Sequence, residues 1–202
     1  MSDVVALRAA IDLLLVPSQA RFLRAEPLPQ GVATLLRIAA GDQETESTAA
    51  ALIDRPRGLV HQAATFFIEQ ILFAPHADSY RVLGTGPKAS AAELRRNVGL
   101  LLRWLHPDLD PKGERSVFVS RVTAAWNDLK TVERRAAYDE ALRRQGDKSK
   151  SRPRMNKAGS GSRRNVKGFA GANDRSGDSI HRRHWKGSWW RALSALFHLQ
   201  RY

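Results

Sequence analysis

The stretch "LLRWLHPDLDP", residues 101–111, does most to limit how the chain can fold. Leu94, Val98, Leu101 and Leu105 recur at i, i+4, i+7 and i+11, which aligns them on one face of a helix. Ser90 with Glu93 three residues on forms a capping box that opens this helix. Pro107 ends it, because proline disfavours helical geometry at His106 and removes a backbone donor. Asp110-Pro111 then caps or turns toward a second helix over about 115–130, where Val119, Val122, Trp126 and Leu129 form an answering stripe. Two antiparallel helices joined by a proline-held corner leave His106 and Asp108 at its tip, facing outward. A shorter helix over about 132–144 follows, with Gly146 as its stop.

Three roles compete for the corner. A plain turn is the bland one. A catalytic site is weak, since His106 and Asp108 have a proline between them and neither a nucleophile nor a second acid nearby in sequence. A metal site needs a third ligand that nothing in the sequence indicates. The third role is a docking loop held out to another protein.

Upstream, residues 1–75 read as a small helical unit. Helical patterns cover about 3–16, 30–40 and 57–74, broken by Pro17, the "EPLP" turn, Gly41 and Pro56. "GLVHQAATFFIEQILF", residues 58–73, is apolar almost all round and is expected to be buried. His61 lacks any ligand-spaced partner and reads as a hydrogen-bonded structural residue. "GTGPKA", residues 84–89, has the glycines of a phosphate loop but no preceding strand, and Pro87 sits within it; it reads as a linker.

With no cysteine, zinc–thiolate sites, disulfides and thiol chemistry are excluded. No apolar run reaches the ~18 residues that cross a bilayer. The opening "MSDVVALRAAIDLLLV" carries Asp3, Arg8 and Asp12 where a signal peptide needs a basic start and an unbroken apolar stretch, so the expected location is the cytoplasm. The net charge of +13 is unevenly spread: residues 1–75 hold 6 basic and 8 acidic side chains, residues 76–145 hold 13 and 9, and residues 146–202 hold 14 and 3.

Five elements around the corner bear a resemblance. "DSYRVLG" (78–84), "SAAEL" (90–94), "HPDLDP" (106–111), "AAWNDL" (124–129) and "ERRAAYD" (133–139) follow one another as in the J-domain, the module that defines bacterial DnaJ-type co-chaperones. Residues 76–145 thus resemble a J-domain. The resemblance implies a chain that is not itself an enzyme, needs no cofactor or metal, and docks on a DnaK-type heat-shock chaperone. There it accelerates ATP hydrolysis by that partner, which then clamps a client protein, in folding and the stress response. His106, Pro107 and Asp108 would be the essential loop. Asp108 offers a carboxylate for a charge-assisted pair with a partner arginine, and Pro107 reduces the ordering entropy lost on docking. Arg95, Arg96 and Arg103 would meet an acidic patch on the partner.

The chain departs from the family in three ways. Gly99, Leu100 and Trp104 stand where the second helix usually carries lysine or arginine, which weakens electrostatic steering. Leu100 and Trp104 are expected to lie under the N-terminal unit, which could then restrain docking; the competing explanation is a specialised partner surface that meets them. No glycine-phenylalanine segment or zinc finger follows, which matches the loosely defined third class of J-proteins.

Residues 146–184 are rich in Ser, Gly, Lys, Arg and Asn and are expected to form a disordered basic linker. Over 185–202, Trp185, Trp189, Leu193 and Phe197 recur at i+4, with Trp190 and basic residues mostly off that stripe. Such an amphipathic helix suits an anionic membrane surface, so the protein could sit peripherally on the membrane's inner face. Docking onto the protein or a client is the competing role, and nucleic acid is a less favoured partner. The expected fold is all-α: an N-terminal helical unit, a J-domain hairpin with short flanking helices, and a disordered basic tail. The alternative function is a J-like adaptor that binds membrane or nucleic acid through this tail without activating an ATPase.

Overall fold

The computed structural model describes residues 2–110 and 113–150, and the side chains of residues 3–110 and 113–145. All secondary structure among the described residues is helical, with no strand. The basic linker beyond residue 150 and the helix expected over 185–202, with Trp185, Trp189, Trp190 and Phe197, lie outside the described residues.

Helix α1 (Ser2–Leu15) is followed by a 3₁₀ turn and the short α2 (Ala20–Ala25). Then come α3 (Val32–Ala39), α4 (Gln43–Ile53) and α5 (Arg57–Phe67), whose last turn widens into a π-helical segment, Ile68–Leu72. The apolar 58–73 stretch behaves as its composition demands: Val60, Ala63, Ala64, Phe67, Ile68, Ile71 and Leu72 are all buried. It packs against α1, α3 and α4. At the π segment, the Phe73 N–H donates to Ile68 O over 3.1 Å, five residues back.

Helix α4 was not expected from its sequence. Its buried face consists only of Ala49 and Ala50, so no large-residue stripe betrays it. Its start is nevertheless coded, because the Asp42 carboxylate accepts from both Thr45 N–H and Thr45 Oγ1–H.

The second half contains α6 (Ser79–Val82), α7 (Ala91–Trp104), a 3₁₀ turn (Glu114–Phe118), α8 (Val119–Leu129) and α9 (Val132–Lys150). Helices α7 and α8 pack together as the anticipated hairpin. Ser90 Oγ accepts from Glu93 N–H at the start of α7. Leu94, Val98, Leu101 and Leu105 are buried; on α8, Val122, Ala125 and Leu129 are buried while Val119 and Trp126 are half-buried. One expectation fails. Gly146 does not stop the last helix, which runs on to Lys150, so residues 146–150 belong to α9 and not to a disordered linker. Glycine costs an exposed helix only about 1 kcal/mol, too little to end one by itself.

The described residues form one compact unit, so the change of sequence pattern near residue 75 is not a gap in packing. Helix α3 packs on α7. Gly84, at φ +66°, lets the "DSYRVLG" turn approach the N-terminal helices closely: a Cβ there would lie 3.1 Å from Val32 Cγ1 and 3.3 Å from both Leu36 Cδ1 and Leu72 Cδ2.

Candidate partner-docking site

Helix α7 closes with the Leu105 N–H donating to Leu101 O at 2.9 Å, and the chain turns at His106. The His106 carbonyl accepts from the N–H groups of Leu109 (2.9 Å) and Asp110 (3.1 Å), which folds the corner back on itself. The sequence-predicted tip is open. Pro107 and Asp108 are exposed, the Asp108 side chain at 86%, while the His106 side chain is 40% exposed.

His106 Nδ1 accepts from the Asp108 N–H at 3.2 Å and lies 3.3 Å from Asp108 Oδ2. The two contacts need opposite protonation at Nδ1: an unprotonated nitrogen accepts the amide, a protonated one pairs with the carboxylate. In the amide-accepting form the imidazole orders the backbone at Asp108 and leaves the carboxylate directed to solvent.

Asp110 holds the far side of the corner. Its carboxylate is buried and accepts from the Glu114 N–H (3.2 Å, Oδ1) and the Arg115 N–H (2.8 Å, Oδ2). It caps the 3₁₀ turn that leads into α8. The role assigned to Asp110 from sequence is thus realised one element earlier than the helix itself.

The thinned helix face divides into two parts. Arg95, Arg96 and Arg103 are exposed on α7. Trp104 is 0% exposed, and its ring joins a three-ring cluster: 5.9 Å from Phe73 and 6.2 Å from Phe118, with Phe73 and Phe118 themselves stacked 4.5 Å apart. Leu100 is half-buried. Trp104 therefore packs beneath the N-terminal unit, as its position beside the buried stripe suggested, yet this packing leaves the corner exposed.

Arg115 is the residue sequence reasoning missed. Its guanidinium lies 4.9 Å over the Trp104 ring, and Nη1 donates to Leu109 O (3.2 Å) and Trp104 O (3.5 Å). Its Nε is 3.8 Å from Glu69 Oε1, in the π segment of the N-terminal unit. Burial raises the Glu69 pKa above the ordinary glutamate value; Arg115 opposes the shift, while Glu114 and Asp110 add to it. No local spacing announces a contact between residues 69 and 115. A nearby cleft of about 420 Å³ is lined by Arg24, Glu69, Phe73, Glu114, Arg115 and Phe118, among others.

The base of the hairpin is locked by the other motif pair. The Tyr80 hydroxyl donates to Asp139 Oδ1 (2.7 Å) and accepts from Arg135 Nε (3.0 Å). The Ser79 N–H donates to the Tyr138 hydroxyl (2.7 Å), and Ser79 Oγ donates to Asp128 Oδ2 (2.7 Å). Burial and the Asp139 bond raise the Tyr80 pKa, against Arg135. "DSYRVLG" and "ERRAAYD" are thus two halves of one polar latch, which fixes α6 and α9 against α8.

His61 is half-buried, with Nδ1 3.5 Å from Glu46 Oε2; Arg57 reaches the same carboxylate at 3.6 Å. Among the described residues, no group of three or more His, Asp or Glu side chains is placed to hold a metal ion.

No protein-family model matches the chain, and no solved structure matches it. Over 64 residues it is 34% identical to the curved DNA-binding protein of Coxiella burnetii, in each of three strains. These relatives are DnaJ-family proteins. The matched stretch covers 32% of this chain and 20% of theirs, so the chain spans about a fifth of the length of the curated relatives it matches.

Proposed function

We propose that the chain is a co-chaperone whose corner docks on a DnaK-type heat-shock chaperone and stimulates its ATP hydrolysis. The observation that carries this reading is the His106-Pro107-Asp108 tip of a packed hairpin, with Pro107 exposed and the Asp108 carboxylate in solvent. In this reading Asp108 pairs with a partner arginine, His106 orders the backbone beneath it, and Pro107 limits the entropy lost on docking. Arg95, Arg96 and Arg103 supply a reduced basic face toward an acidic patch. The bond-breaking chemistry belongs to the partner, so this chain is not an enzyme and needs no cofactor. The proposed location is the cytoplasm; no described helix is long and apolar enough to cross a membrane.

Single-turnover ATP hydrolysis by the host's DnaK-type chaperone tests the proposal. Wild-type chain is expected to accelerate it and Asp108→Asn is not; equal rates with both, or no acceleration by wild type, would refute it.

A second reading is an adaptor that binds nucleic acid through its basic tail. It draws on the name of the matched relatives and on the 14 basic against 3 acidic residues over 146–202. It expects DNA affinity that falls steeply with salt and is lost on removing residues 151–202.

A further inference from the structure

Residues 1–75 have no role in the docking reading, yet three of their side chains or turns converge on the segment that carries the corner. Phe73 stacks on Trp104 and Phe118, the residues that flank the segment on either side. Glu69 faces Arg115, whose guanidinium also binds the carbonyls of Trp104 and Leu109. Gly41, between α3 and α4, meets Leu109 next to Asp108: a Cβ at Gly41 would lie 3.9 Å from Leu109 Cδ2. From the hairpin side, Arg121 donates to Phe73 O (2.5 Å) and Ala74 O (2.9 Å), which fastens the end of the π segment to α8. The Phe73, Glu69 and Gly41 contacts hold Trp104, Leu109, Arg115 and Phe118 and leave Pro107 and Asp108 exposed.

We infer that residues 1–75 act as a brace for the docking corner, with Glu69 and Arg115 as positioning residues that set where Asp108 stands. The chemistry favours a brace over a general stabilising contact. Arg115 makes both carbonyl bonds through Nη1 while Nε faces Glu69 and the guanidinium carbon lies over the Trp104 ring, a spread of contacts that a single lysine ammonium cannot reproduce. Glu69 holds that guanidinium from the opposite element, so the corner's position is referred to the N-terminal unit and not only to its own hairpin. A braced corner loses less freedom on docking, and the benefit appears as affinity and not as turnover in the partner. The role rests on the co-chaperone reading; the brace itself does not.

The test uses the full chain with Glu69→Gln and Arg115→Lys, each compared with wild type. Amide hydrogen exchange is read at Leu109, Asp110 and Arg115, whose N–H groups close the corner, together with the melting temperature. Stimulation of the chaperone's ATP hydrolysis is titrated in parallel. The brace predicts exchange at these three amides about tenfold faster, with exchange in α1, α3 and α5 unchanged. It predicts a half-saturating concentration raised roughly five- to tenfold at an unchanged maximal rate. Unchanged exchange at the corner overturns the inference, and so does faster exchange throughout the chain with a lower melting temperature, which marks a merely structural contact. An unchanged half-saturating concentration beside a loosened corner also overturns the positioning role. If wild type fails to stimulate the chaperone, the co-chaperone reading fails while the exchange data still decide the brace.

Discussion

Gly84 and Gly113 offer a controlled comparison of how closely the N-terminal helices press on the hairpin. Both adopt nearly the same left-handed backbone, φ +66° and +68°. Alanine at either therefore costs about 1–2 kcal/mol for that conformation. Gly→Ala also removes unfolded-state entropy worth about 0.4–1 kcal/mol at each, a gain that cancels in the comparison. The surroundings differ. Among the described residues a Cβ at Gly113 meets no atom within 4 Å, whereas at Gly84 it would press on Val32, Leu36 and Leu72 at 3.1–3.3 Å. Those three side chains sit in a packed core, where forced overpacking costs about 1–3 kcal/mol. Gly84→Ala should thus be about 1–3 kcal/mol more destabilising than Gly113→Ala. That is a large share of the roughly 5–15 kcal/mol that holds a domain together. Urea denaturation of both variants, monitored by helical circular dichroism, reads the difference directly. Equal losses within about 0.5 kcal/mol would show that the "DSYRVLG" turn does not abut α3 and the π segment, and the single packed unit would be wrong.

Two further predictions concern the corner's support. Trp104→Ala should cost about 3–5 kcal/mol, because it removes a fully buried ring from a cluster with two phenylalanines. Trp104→Phe should cost within about 1 kcal/mol of nothing, since the lost ring volume is offset by removing a buried Nε1–H that finds no acceptor among the described residues; similar losses for both variants in chemical denaturation would contradict the stack. The raised Glu69 pKa sets a pH dependence. The folded state holds this proton more tightly than the unfolded chain, so its contribution is full below the ordinary glutamate value and is lost as pH rises through the folded value. The melting temperature of wild type relative to Glu69→Gln should therefore fall as pH climbs from about 4 to about 7; a flat or rising difference would mean that Arg115 outweighs burial at this carboxylate.

What the sequence revealed and what it hid follow from the range of the interactions. The hairpin is written in local signals: Ser90 and Glu93 at the start, the Leu94-Val98-Leu101-Leu105 stripe, Pro107 at the stop and Asp110 as a cap. Each acts within about one or two helical turns, so spacing exposes it. Helix α4 stayed hidden because alanines are its only buried residues, although Asp42 marked its start. Gly146 misled because one glycine cannot end a helix without a partner for the freed carbonyls. The Glu69–Arg115 pair and the Phe73–Trp104–Phe118 stack join positions dozens of residues apart, and no periodicity encodes such a meeting. The likeness to a J-domain identified the tip residues, but it said nothing of the 75 residues before it, which make up the brace.

In the proposed co-chaperone function, Asp108 is the docking group for a nucleotide-driven chaperone. The most direct measurement is the affinity of the chain for that chaperone held in its ATP-bound state, with wild type and Asp108→Asn titrated side by side. Losing one member of a desolvated charge pair costs about 2–5 kcal/mol, so the variant should bind roughly thirtyfold more weakly or worse. Its helical content and melting temperature should match wild type, since the Asp108 side chain is 86% exposed. Equal affinity of the two chains, or no binding by either, would contradict the account.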